Sequence, residues 1–189
     1  MLGLATAIVS YLVGSFPTAY VLGKRLRKID VSKNGSGNIG AMNAYDVTGS
    51  KTIGTSVAII DVMKGLSVTL FSEHFYGLII GLTAALFVVM GHNYSVFVKF
   101  KGGRGLATAA GALLVIQPVA VPVYLAAYFL LRKLGSKLYL ASVIAVIVAF
   151  VVLIIGVSPD LSAITLSAAL LAVILSKHLL PLKNELQNA

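Results

Sequence analysis

Gly35-Ser36-Gly37-Asn38-Ile39-Gly40-Ala41-Met42-Asn43 is a small, polar run in a chain that is otherwise mostly long apolar segments, and the rest of the sequence is organised around it. Its three glycines can take positive φ and leave room beside the backbone, so that successive N–H groups turn inward toward the oxygens of an anion. Ser36, Asn38 and Asn43 add hydrogen-bonding side chains. A second stretch, Gly91-His92-Asn93-Tyr94-Ser95-Val96-Phe97-Val98-Lys99-Phe100-Lys101-Gly102-Gly103-Arg104-Gly105, sets glycines around cations. Backbone donors and Lys or Arg charge together are what a phosphate requires. Two such loops in one small protein point to a phosphorylated substrate.

The segments around these loops define the class. Of 189 residues 58% are hydrophobic and 11% charged, with mean hydropathy +0.96. A soluble domain of this length could not cover so much apolar surface with so few charges, so the chain is expected to be an all-α integral membrane protein. It contains no cysteine, which excludes disulfides and thiolate metal sites, and three scattered histidines make a poor ligand set, so neither a metal nor a cofactor is expected. The net charge of +9 is explained by basic loops retained on one side of a membrane, not by nucleic-acid binding.

In chain order, residues 2 to 23 read as a retained transmembrane helix without the basic leader of a signal peptide. The basic polar segment 24 to 51 follows and belongs inside, which puts the N-terminus outside. Residues 52 to 72 form a span carrying Asp61 and Lys64, three apart on one helical face, where they can neutralise each other. The chain turns outside near Glu73 and His74, and 75 to 98 return it to the second glycine loop. Arg132, Lys133 and Lys137 also belong inside, so an even number of passes lies between Gly105 and Leu131. Pro118 and Pro122 divide that stretch into halves of about 13 residues, roughly 20 Å each against a hydrocarbon core of roughly 30 Å. Two short helices breaking at Gln117-Pro118 as a shallow hairpin are therefore expected; a single tilted helix is the rival and leaves the parity wrong. Residues 138 to 156, an outer turn at Ser158-Pro159-Asp160, and 161 to 176 complete seven transmembrane helices, with Lys177, His178 and Lys183 inside. Of the 15 Lys and Arg residues, every one but Lys64 then lies on the inner side. One domain, residues 1–189, is expected.

Gly35 to Gly40 fits the dinucleotide fingerprint literally, and Asp61 follows at a suitable distance. Such a site needs a βαβ unit, whereas this loop lies between transmembrane helices, so a glycine loop of unspecified phosphate class is what survives. Taken singly, Lys101 and Arg104 also read as cytoplasmic anchors, but anchors do not need Gly102, Gly103 and Gly105 around them. His92 and His178 are each open to a packing or interfacial reading. No nucleophilic triad can be assembled, and no His is followed five positions on by Asp, so acyl transfer would require an already activated donor.

Ser36-Gly37-Asn38-Ile39-Gly40-Ala41-x-Asn43, Asp61-x-x-Lys64-Gly65, Gly91-His92 and Phe100-Lys101-Gly102-Gly103-x-Gly105-x-Ala107-Thr108, in this order and spacing, resemble the PlsY-type acyl-phosphate glycerol-3-phosphate acyltransferases. The resemblance covers most of the chain. It implies a multi-pass enzyme of the bacterial inner membrane with its site on the cytoplasmic side. Its substrates would be acyl phosphate and glycerol 3-phosphate, with no acyl-carrier protein, coenzyme A or nucleic acid as partner. Carried over by position, His92, Lys101 and Arg104 would be catalytic. Ser36, Gly37, Asn38, Gly40, Asn43, Asn93, Gly102, Gly103, Gly105 and His178 would bind substrate. Family members usually have Thr where this chain has Met42, Arg at Asp46, Lys at Arg104 and Asn at Pro181. Asp46 and Pro181 make the glycerol-3-phosphate half of the pattern the less complete one. A related acyltransferase with another acceptor, or a transporter or binder of phosphorylated headgroups, is the competing reading. A transporter should carry polar residues at mid-membrane on several helices, and here only Asp61 and Lys64 are so placed.

Overall fold

The computed structural model describes residues 1–157 and 160–187, which form α-helices joined by turns and loops. In chain order these are α1 (Leu2–Ser15), α2 (Thr18–Arg27), α3 (Ala41–Thr48), α4 (Lys51–Tyr76), α5 (Leu78–Asn93), α6 (Leu106–Ile116), α7 (Ala120–Lys133), α8 (Leu138–Gly156), α9 (Leu161–Ser176) and α10 (Leu179–Gln187). Of the outer turn expected at Ser158-Pro159-Asp160, Ser158 and Pro159 lie outside the described residues; the Asp160 carboxylate accepts from Ser162 N at 3.1 Å and caps α9.

Several boundaries differ from expectation for local reasons. The first segment is broken at Phe16-Pro17, where proline cannot supply the N–H of a continuous helix, and its second half runs on to Arg27. The Phe16 carbonyl at this break accepts from Lys64 Nζ at 2.6 Å and from Thr18 N at 3.0 Å. The polar segment after α2 contains the short helix α3, and the span expected over 75–98 ends as an α-helix at Asn93, with one 3₁₀ turn at Val96–Val98. The break at Gln117-Pro118 separates α6 from α7 as expected. Past Ser176, instead of a simple tail, α10 leaves α9 at a bend of 43°.

Among the described residues, four helical segments are long and apolar enough to cross a membrane: Leu2–Arg27, Lys51–Tyr76, Leu78–Val98 and Leu138–Gly156, with the bent α9–α10 pair a fifth. Seven were expected. The 11 residues of α6 extend about 16 Å, about half a hydrocarbon core, so length alone does not make it a span.

Small residues set how closely these helices pack. Gly65 of α4 lies against the backbone of Thr108 on α6, and Gly111 of α6 against that of Val62 on α4. Gly14 of α1 and Gly91 of α5 do the same against Val88 and Tyr11. At all four a Cβ would enter a neighbouring backbone, so these crossings depend on glycine, as in membrane helix pairs generally. The main apolar core gathers α5, α6, α8 and α9 around Leu82, Val89, Leu113, Phe150, Leu153 and Leu170. A smaller one, of Ala19, Val31, Ile39, Ala44, Ile53 and Val57, lies under the first glycine loop. Ile39, one of two large apolar side chains in that run, is its anchor at 3% exposure; Met42, the other, is 67% exposed.

Candidate functional site

The first loop, residues 28–40, is built inward from Asn43 on α3. The side chain of Asn43 is buried, its Oδ1 accepting from Ser36 N at 2.9 Å. Its Nδ2 faces the carbonyls of Val31 and Asn38, each at 2.9 Å, and of Asn34 at 3.2 Å. One amide thus closes the loop on itself. Gly35 and Gly37 sit at φ +59° and +69°, the left-handed region where side chains other than glycine are strained. At the loop's start Asp30 Oδ1 accepts from Ser32 Oγ at 2.6 Å and Ser32 N at 3.1 Å. The Ser32 hydroxyl, ahead of its backbone N–H and Lys33, holds the Asp30 carboxyl below its usual value.

The second loop folds back on the end of α5. Gly103 N donates to the His92 carbonyl at 3.0 Å, and the His92 ring occupies the place a Cβ on Gly103 would take. Gly102 packs against the carbonyls of His92 and Asn93, so neither glycine has room for a side chain. Ile39 N, at 3.4 Å from the Gly102 carbonyl, ties the two loops together.

The loops meet around a cavity of about 430 Å³, into which Ser36, Gly37, Asn38, Lys101, Gly102 and Arg104 all open. Tyr94, Ser176 and Lys177 complete its polar wall, and Phe100, Leu180 and Pro181 supply an apolar part. Among the described residues three cations and no acidic side chain line it, a composition suited to phosphate oxygens. Arg104 also lines a neighbouring cavity of about 170 Å³ with Met42, Tyr139, Ser142 and His178. That cavity shares Leu106 and Tyr124 with an almost wholly apolar one of about 260 Å³ between α6, α7 and α8. A polar chamber, Arg104, His178 and an apolar crevice therefore follow one another along the protein.

The remaining sequence candidates stand behind this surface. Gly40, Asn43, Gly103 and Gly105 shape the loops without lining the polar cavity. His92 is buried, with Nδ1 3.7 Å from Asp61 Oδ1, and it does not line that cavity either. Asp61 in turn takes Lys64 Nζ at 2.8 Å and Thr18 Oγ1 at 3.1 Å, so the charge pair anticipated on α4 forms a buried cluster joining the α1–α2 break to the base of the second loop. Asn93 ties α5 to α9 through Nδ2 and the Val173 carbonyl at 2.9 Å, while its Oδ1, close behind Gly105, has no hydrogen-bond partner among the described residues. His178 is buried, its Nδ1 2.9 Å from the Ile174 carbonyl. Asp46 is exposed on α3 and lines none of these three cavities.

Sequence reasoning passed over Lys177, Tyr94 and Tyr139. Lys177 Nζ lies 4.1 Å from the centroid of the Tyr94 ring, and the Tyr94 hydroxyl is 2.7 Å from Ser176 Oγ. Lys177 is expected only to lie on the inner side after the last apolar span; its adjacency to His178 is the available signal. For Tyr139 nothing local distinguishes it from other interfacial tyrosines.

Known proteins resemble this chain over most of its length. A family model described as glycerol-3-phosphate acyltransferase matches residues 4–187. Curated relatives carrying that description include one from Chlorobium luteolum, 40% identical over 156 residues, covering 76% of this chain and 66% of the relative. One from Staphylococcus aureus is 35% identical over 156 residues, covering 78% and 77%. Glycerol-3-phosphate acyltransferase 2 of Moorella thermoacetica is 43% identical over 118 residues, which span 62% of this chain and only 60% of that relative. Among solved structures, the glycerol 3-phosphate form of PlsY, an integral membrane glycerol 3-phosphate acyltransferase, superposes with TM-score 0.88 at 29% identity, covering 98% of this chain and 92% of the other. The family match over nearly the whole chain, together with this likeness to an integral membrane fold, shows that the chain belongs to the glycerol-3-phosphate acyltransferase family.

Proposed function

We propose that the protein transfers a fatty acyl group from acyl phosphate to the 1-hydroxyl of glycerol 3-phosphate, giving lysophosphatidic acid and inorganic phosphate. The observation that carries this is the alignment of compartments: a chamber with three cations and no carboxylate, Arg104 on its wall, and an apolar crevice beyond. PlsY structures in glycerol 3-phosphate and lysophosphatidic acid forms share this fold. In the proposed reaction the acyl chain lies in the crevice between α6, α7 and α8, and Ser36, Gly37, Asn38, Lys101, Gly102 and Lys177 hold phosphate oxygens. Arg104 stands at the acyl phosphate, where it stabilises charge gathering on the leaving phosphate. The acceptor hydroxyl attacks the acyl carbon, the bond from that carbon to the phosphate oxygen breaks, and phosphate leaves with the bonding pair. Among the described residues the polar chamber offers no carboxylate or histidine as base. A substrate phosphate oxygen is therefore the group that takes the hydroxyl proton.

His92 acts in this scheme from behind the loop, holding Gly103, with Asn43 and Asn93 keeping the loops in shape. In this reading the chain crosses seven times, with the N-terminus outside, the C-terminus inside and both glycine loops at the cytoplasmic face of a bacterial inner membrane; the distribution of basic residues supports that orientation. Purified protein given acyl phosphate should release inorganic phosphate only when glycerol 3-phosphate is added. Release that proceeds equally with other polyol phosphates, or without any acceptor, would refute the proposed acceptor.

A further inference from the structure

We propose that Tyr139 and Glu185 form a positioning relay that aims Arg104 at the substrate. Arg104 Nη2 donates to the Tyr139 hydroxyl at 2.6 Å, and the guanidinium carbon lies 4.7 Å from the centroid of the same ring. An arginine is a long side chain whose planar head gains direction only from partners that match it, and here one tyrosine supplies both a stacking face and an acceptor. Tyr139 is the second residue of α8, where backbone N–H groups have no acceptor within the helix.

Those N–H groups are taken by Glu185 from α10. Its Oε2 accepts from Tyr139 N at 2.9 Å and from Leu140 N at 3.1 Å, and its Oε1 lies 3.1 Å from Tyr139 N. Lys137 Nζ returns the contact by donating to the Glu185 carbonyl at 3.1 Å. A carboxylate at the start of α8 also meets the positive end of the helix dipole, which strengthens the attachment. Glu185 therefore holds both ends of one device: it fixes the backbone of the residue that grips Arg104, and it docks the helix that carries Pro181 into the polar chamber. Glu185 touches no cavity of the site, so its action on the reaction passes through Tyr139.

This relay rests on Arg104 facing the substrate phosphate, as proposed above, and the test separates the two. Acyl transfer is measured on the purified full chain as kcat/KM for wild type, Tyr139→Phe, Glu185→Ala, Glu185→Gln and Arg104→Ala, and for Arg104→Ala combined with each of the first two. Tyr139→Phe keeps the ring and removes the hydroxyl; it and Glu185→Ala are each expected to lower kcat/KM about tenfold, the worth of one charge-assisted hydrogen bond. Glu185→Gln, which keeps one acceptor oxygen, falls between wild type and Glu185→Ala. In the Arg104→Ala background neither change lowers activity further by more than about twofold, because a shared path makes the effects non-additive. Full additivity would overturn the relay, showing that α10 merely supports the fold. Arg104→Ala inactive with Tyr139→Phe and Glu185→Ala at wild-type rates also overturns the relay while leaving the role of Arg104 intact. Arg104→Ala at wild-type activity removes both. Should Glu185→Ala fail to fold, Tyr139→Phe, which disturbs no backbone contact, carries the same cycle to a decision.

Discussion

Replacing Asn43 with alanine removes a side chain that makes four hydrogen-bond contacts inside the first glycine loop. The two hydrogens of Nδ2 serve three carbonyls, so the amide is worth about three good bonds; at roughly 1 kcal/mol net each, the change should cost about 3 kcal/mol of loop order. A loss of that size in the assembled loop lowers kcat/KM on the order of a hundredfold. Because the loop forms one wall of the chamber, the fall should appear against both acyl phosphate and glycerol 3-phosphate. Asn43→Asp makes the point without a change of volume: it keeps the acceptor for Ser36 N but sets an oxygen against three carbonyl oxygens, so it should be at least as damaging. Steady-state kinetics on each substrate, with hydrogen exchange of the peptide containing Ser36, would measure this. Unchanged exchange at Ser36 in Asn43→Ala, with a rise in KM for one substrate alone, would refute the reasoning and make Asn43 a ligand group.

Arg104→Ala should lose acyl transfer by about 2 to 4 kcal/mol of transition-state stabilisation, whereas Lys99→Ala, whose side chain lines none of the three cavities, should remain near wild type; equal activities would remove the second loop from the site. Single cysteines at positions 36, 99 and 183 should resist an impermeant thiol reagent in intact cells, and one at 73 should react, the parent sequence having no cysteine; labelling of 99, an exposed position of the second loop, from outside would invert the topology. Asp46→Arg places a cation one helical turn beyond Met42 and should lower the KM for glycerol 3-phosphate with little effect on acyl phosphate; unchanged kinetics would show that position 46 lies outside the acceptor's field.

Membrane class was legible in the sequence because hydrocarbon selects on composition alone: a run such as 138–156 without a formal charge has few other uses. Local chemistry was legible for the same kind of reason. Proline at 118 cannot donate a helical N–H, so the break between α6 and α7 could be placed, and glycines beside cations at 101–105 marked a phosphate-type loop. Which side chains face the chamber was not legible, because direction depends on packing between segments far apart in the chain. Asn43 and Asn38 look alike in sequence, yet Asn43 points into its own loop while Asn38 lines the cavity, since α3 turns one inward over Val31 and Ile39. His92, which the family resemblance made catalytic, sits behind the polar cavity with its ring 3.7 Å from Asp61 of another helix. Tyr139 and Glu185 are brought behind Arg104 only when α8 and α10 pack together, through contacts that span 35 to 46 residues, and Lys177 enters the polar cavity from the end of α9, so none leaves a local pattern to read.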